Sequence, residues 1–94
     1  MAIRTVVCCC GMGLGTSLLA KMNVEKVLKQ LGVSGVSVEH SSISDALVSK
    51  FDLYVVSKDL AKEVASLSNV VILENIMNAA ELETKLRGAF NISG

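Results

Sequence analysis

The chain has 94 residues, 51% of them hydrophobic but only three aromatic, so it has the material for one aliphatic core and not for two. Nine Lys and Arg balance nine Asp and Glu without a basic cluster, which argues against a phosphate-backbone binder, and nucleic acid is not an expected partner. The apolar start carries Arg4 and passes into glycines, no run approaches the roughly 20 apolar residues of a membrane span, and the three cysteines are consecutive, so leader, span and secreted disulfide framework are all unexpected. A reduced, cytosolic compartment fits.

In chain order, Ile3 to Cys9 (IRTVVCC) is a β-branched, apolar run of strand length. From Ala20 the apolar residues Val24, Val27, Leu28 and Leu31 recur at helical spacing, with Lys21, Glu25 and Lys29 on the opposite face and Gly32 as the stop. Val36 to His40 (VSVEH) alternates like a strand with one exposed face, and Ser44 is a candidate cap for a short helix through Ala46 and Leu47. Asp52 to Val56 (DLYVV) reads as a third strand, followed by Ser57 and a helical set at Leu60, Ala61, Val64 and Leu67. Val70 to Leu73 (VVIL) is a fourth strand. Asn78 with Glu81 resembles a capping box, opening a helix whose inner face is Leu82, Leu86 and Phe90.

Strands alternating with helices define an α/β domain with a parallel sheet, in which ligands gather beyond the carboxyl ends of the strands. The stretch CCCGMGLGTS, Cys8 to Ser17, leaves the first strand at that edge, as Ser57 to Asp59 and Glu74 to Asn78 leave later ones. Adjacent residues of a strand point to opposite faces, so Cys8 and Cys9 cannot share a metal ion, and no further cluster completes a zinc site. No metal is expected. Gly15 is followed by Thr16 and not by the Lys of a Walker loop, and Gly11, Gly13 and Gly15 are spaced by two, unlike the dinucleotide fingerprint. His40 reads as a partly buried or surface histidine.

What remains is a cysteine heading a loop whose amides converge near a helix N-terminus, a setting that favours an anion and, by the same field, a thiolate. A thiol near 8.5 is only about 3% ionised at neutral pH, whereas one lowered to roughly 6 is about 90% nucleophile. Cys10 is placed to benefit; Cys8 and Cys9, inside the strand, read as packing. Such a cradle fits phosphoryl transfer through a phosphocysteine. The tyrosine phosphatases place an Arg six residues after the nucleophile; here that position is Thr16, so hydrolysis should be poor and the intermediate should persist.

The stretch Cys10-Gly11-Met12-Gly13-Leu14-Gly15-Thr16-Ser17, followed by Lys21-Met22-Asn23-Val24-Glu25, resembles the IIB components of the bacterial phosphoenolpyruvate-dependent sugar phosphotransferase system, with Ser57-Lys58-Asp59-Leu60 in support. The resemblance spans essentially the whole chain, residues 1–94 as a single IIB domain, and is nearest to the ascorbate (SgaB-like) branch, the lactose/cellobiose and galactitol branches being more distant. It implies that Cys10 takes a phosphoryl group from a IIA phosphohistidine and passes it to a sugar, ascorbate on this branch, held by the membrane permease IIC. It further implies that Gly11, Met12, Gly13, Leu14, Gly15, Thr16 and Ser17 bind the phosphoryl oxygens, that the sugar is contacted only through IIC, and that no cofactor is needed. The expected location is cytoplasmic, peripheral to the inner membrane through IIC. The expected fold is a four-stranded parallel sheet with helices on both faces, flavodoxin/Rossmann-like, in strand order 2-1-3-4. A low-molecular-weight phosphatase-like hydrolase and a non-catalytic anion-binding α/β module are the alternatives.

Overall fold

The computed structural model describes residues 3–9, 14–75 and 78–90. Its elements run β1 (Thr5–Cys9), α1 (Leu14–Gln30), β2 (Ser37–His40), α2 (Ile43–Val48), β3 (Leu53–Ser57), β4 (Val70–Leu73) and α3 (Ala79–Ala89), with a short 3₁₀ turn at Lys58–Leu60 after β3. Among the described residues the four strands form one parallel sheet in the order β2-β1-β3-β4, the order expected.

β1 is bonded on both edges, Val6 opposite Val38 on one side and Leu53 on the other, and its last four side chains are inaccessible to solvent. Their alternation splits the interior into two cores. Val6 and Cys8 join Ala20, Val24, Val27 and Leu28 of α1, Leu82 and Leu86 of α3, and Val55 and Leu73 of the sheet. Val7 and Cys9 join Ala46 of α2, Tyr54, Val56, Leu60 and Val64 on the other face. Burying a Val or Leu stabilises by roughly 1.5–3 kcal/mol each, so the fold is carried by these two aliphatic layers.

α1 is longer at its start than the spacing from Ala20 predicts. Among the described side chains its inward stripe includes Ser17, 1% exposed and small enough to lie close against the sheet, ahead of Ala20 and Val24. It ends as expected at Gly32, whose φ of 77° is left-handed; Gly32 N–H donates to Lys29 and Val33 N–H to Leu28, the paired bonds of a Schellman motif. Val33 then packs against the core that holds Leu28.

Three expectations are corrected. The cap of α2 is Ser42, whose hydroxyl accepts from Asp45 N–H at 3.3 Å, and not Ser44, which lies inside the helix. The segment after β3 is not an α-helix. Its backbone bonds, Ala61 to Lys58, Val64 to Ala61 and Leu67 to Val64, all reach back three residues, so it is a chain of tight turns that still delivers Leu60, Val64 and Leu67 to the second core. Asn78 does cap α3, accepting from Glu81 N–H at 3.1 Å, but the Glu81 carboxylate accepts from Glu74 and Asn75 N–H, at 2.8 and 3.1 Å, binding the loop beyond β4 and not closing a box.

At the amino edge Asp52 accepts from Arg4 and Thr5 N–H at 2.8 and 3.1 Å, and Thr5 Oγ1 accepts from Asp52 N–H at 3.0 Å, locking the start of β1 to that of β3. These amides, Arg4 first and Thr5 next, hold Asp52 below the ordinary carboxylate range, as those of Glu74 and Asn75 hold Glu81. The folded state therefore prefers both groups ionised: their stabilisation is complete above the ordinary carboxylate range and is lost as pH falls through the lowered values. Urea midpoints measured from neutral pH downward should fall on acidification, and Asp52→Asn with Glu81→Gln should flatten that limb; an equally steep limb in the double variant contradicts the assignment. Leu82→Ala, in the first core, should cost about 2–5 kcal/mol by urea unfolding, whereas Val48→Ala, at a position 86% exposed, should stay within about 0.5 kcal/mol.

Candidate functional site

The carboxyl edge of the sheet presents Cys9 at the end of β1, His40 at the end of β2 and Ser57 at the end of β3. β1 passes to α1 on one face, while α2 lies on the other. The strand order reverses about β1, so the β1–α1 junction opens at the topological switch point where α/β sheets bind ligands.

Four of the expected site residues, Cys10, Gly11, Met12 and Gly13, lie outside the described residues. Leu14, Gly15, Thr16 and Ser17 are not loop but the first turn of α1. The amides of that turn have no intrahelical acceptor and carry the positive end of a 17-residue helix dipole. α2 and α3 have Asp45 and Glu81 in their first turns and a side-chain cap each; the first turn of α1 contains no acidic residue.

Ser17 and His40 come together in a way the linear sequence does not show. Ser17 is almost wholly buried, and its Oγ lies 3.3 Å from Nδ1 of the half-buried His40. His40 is opposite Cys8 in the β1–β2 register and so shares its face, beneath α1. The missing signal was register: the expected order puts β2 beside β1, but only the pairing of His40 with Cys8 brings the last residue of β2 to the start of α1. On the other side of β1, the buried Ser57 hydroxyl donates to the Asp59 carboxylate, one residue beyond Val56, the partner of Cys9. Lys58 pairs with Glu74 at 3.3 Å on the surface.

The two described cysteines are packing residues, as expected of a strand interior. Both are at 0% exposure, Cys8 in the core beneath α1 and Cys9 in the core beneath α2. Burial, reinforced by Cys9 and Glu25, pushes the Cys8 thiol up to about 12, so it stays protonated at neutral pH. Among the described residues no three His, Cys, Asp or Glu side chains converge to hold a metal ion, and no helix is long and apolar enough to cross a membrane. The cavity of about 360 Å³ lined by Ile3, Asp52, Leu53, Asn69, Val70 and Ala89 is at the amino edge, the far end of the strands from the β1–α1 junction, and takes no part in this site.

This is the carboxyl edge of a small parallel α/β domain. The model of one family, the lactose/cellobiose-specific IIB subunit of the phosphotransferase system, matches residues 5–87, and the chain belongs to that family. Its role is accordingly phosphotransfer in a sugar phosphotransferase system, where IIB domains work with IIA and IIC components. Among solved structures, the lactose-specific IIB component domain of the phosphoenolpyruvate:carbohydrate phosphotransferase system from Streptococcus pneumoniae is similar in fold. Its TM-score is 0.58 at 18% identity, with 96% of this chain and 93% of that one covered. No curated protein matches the chain in sequence.

On the native protein a maleimide should leave Cys8 and Cys9 unmodified, and both should react once guanidinium unfolds the chain. Peptide mapping checks this, and rapid native labelling of either residue contradicts the packing described.

Proposed function

We propose that the chain is a single IIB domain that relays a phosphoryl group through Cys10, with the ascorbate branch as its specificity. The Cys10 thiolate attacks the phosphorus of a IIA phosphohistidine; the S–P bond forms, the P–N bond breaks, and the electron pair leaves on the imidazole nitrogen. A hydroxyl oxygen of the sugar held by IIC then attacks the same phosphorus. The P–S bond breaks, the thiolate is regenerated and the hydroxyl proton is lost to solvent or a base. The chain works in the cytoplasm, at the membrane through IIC, and needs no cofactor.

The observation that carries this reading is the burial of Cys8 and Cys9 in two separate cores, which leaves Cys10 as the remaining candidate sulfur. The first turn of α1, without a carboxylate of its own, supports phosphoryl binding by the backbone of residues 11–17, with Thr16 and Ser17 as further donors. Leu18, Leu19 and Met22, each more than 40% exposed on the following turns of α1, give a protein partner an apolar surface beside that end. The ascorbate assignment rests on the branch of the family that the sequence resembles, through the Cys10 to Glu25 stretch with Ser57-Lys58-Asp59-Leu60 in support.

Incubation with a phosphorylated IIA protein, followed by intact mass, tests the relay. Wild type, Cys8→Ser and Cys9→Ser should each gain one phosphoryl group, and Cys10→Ser none. Labelling that follows Cys8 or Cys9 instead overturns the assignment. Uptake measured with the cognate IIC separates ascorbate from lactose or cellobiose.

A further inference from the structure

The two edge strands of the sheet are unlike. β2 carries the exposed Glu39 within it, whereas β4 is Val70-Val71-Ile72-Leu73, apolar throughout, with no charge, proline or bulge to discourage another strand. The ladder fixes which groups face outward. Tyr54 N–H donates to the Asn69 carbonyl and Tyr54 is opposite Val70, so Val71 and Leu73 bond to β3 while the amides and carbonyls of Val70 and Ile72 turn to the open edge. Among the described residues no further strand lies there. α3 does not close it over: Gly88 and Ala89 line a groove of about 420 Å³ along Val70, Val71 and Ile72, a Cβ on Gly88 would meet nothing within 4 Å, and Ile72 is 37% exposed. Lys85 of α3 does reach the edge, its Nζ donating to the Ile72 carbonyl and pairing with Glu81 at 3.4 Å. Glu81 is itself held by the amides of Glu74 and Asn75, so the ammonium has a fixed counter-ion on one side and an outward carbonyl on the other.

We propose that Lys85 guards the β4 edge against pairing with a second copy of this chain. Two β4 strands running antiparallel about a two-fold axis at Val71 set Val70 of each copy opposite Ile72 of the other. Both residues turn outward, so each such pair exchanges two hydrogen bonds, and one of every two ends on an Ile72 carbonyl, the group that Lys85 occupies. From Ser68 to Leu73 the seam contains no charged residue. The charge comes from Lys85, one ammonium from each copy, brought to a shared seam with their carbonyl partners withdrawn. A foreign strand meets a single cation, and an acidic one is drawn to it; a copy of this chain brings a second cation of the same sign, so the guard discriminates most strongly against self-association. Neither β4 nor Lys85 takes part in the relay proposed above.

Sedimentation velocity over a concentration series is the test. Wild type should not pair through β4, and neither should Lys85→Arg, which keeps the cation. Lys85→Met keeps the apolar stem and loses the charge; it should form a dimer at least about a hundredfold more tightly than wild type, about tenfold for each carbonyl released. Adding Ile72→Pro removes an outward amide from each copy and no bond to β3, so it should return Lys85→Met to a monomer. Amide NMR spectra establish that each variant is folded, and hydrogen exchange gives a second measurement: in the Lys85→Met dimer the amides of Val70 and Ile72 should exchange more slowly than in wild type. A Lys85→Met chain no more associated than wild type overturns the proposal. So do a dimer in which those amides stay unprotected, a dimer that survives Ile72→Pro, open-ended oligomers in place of a dimer, and a wild type already paired through β4.

Discussion

The structure depends on a single constraint, the double burial of β1. A strand bonded on both edges and covered on both faces has no polar backbone left to satisfy and no side chain that reaches water. Val6 and Cys8 look into one core and Val7 and Cys9 into the other, so a helix is required on each face. With α1 on one face and α2 on the other, the strand order reverses about β1, the switch point beyond whose carboxyl end α/β sheets bind ligands. The same alternation explains why three adjacent cysteines are not a cluster. Two of them belong to two different interiors.

The two edges of the sheet are finished differently. At the amino edge Asp52 closes on the amides of Arg4 and Thr5, and Asn69 donates to the carbonyls of Phe51 and Asp52, so the strand starts are held by side chains of this domain. Tyr54 adds a hydroxyl between the carbonyls of Ala46 and Ser49, tying the end of α2 to the sheet. At the carboxyl edge Glu81 takes up the amides beyond β4, and Ser42 and Asn78 cap their helices. The first turn of α1 has no carboxylate of its own. Electrostatic satisfaction is thus supplied internally at each of the capped and bridged places.

Much of this was legible in the sequence because it is periodic. The four strands, the Gly32 stop and the inner face of α3 follow from apolar spacing and from one glycine whose φ is positive. What was not legible is governed by local competition or by distance. Ser42 and Ser44 are both good caps, and the choice falls to the one whose hydroxyl lies three residues ahead of a free amide. Leu60, Val64 and Leu67 have helical spacing, yet with turns reaching back three residues they meet the same core, so the pattern does not separate the two conformations. His40 read as an ordinary histidine because its meeting with Ser17 needs the register of β2 on β1, which no local pattern contains.

A relay must bind a phosphoryl group firmly enough to accept it and loosely enough to give it up, and the placement of charge in this chain follows that requirement. Its two arginines are at the far side of the domain: Arg4 precedes β1 at the amino edge, and Arg87 is in the last turn of α3, paired with Glu83 at 3.6 Å. A guanidinium is permanently charged and grips two phosphoryl oxygens at once, stabilising the transition state for any nucleophile, water included. Amides at a helix end carry only partial charge, and their hold is weaker. On the proposed reading, that weaker grip leaves the choice of nucleophile to the partner that docks, which is what separates a carrier of phosphate from a hydrolase built on the same cradle.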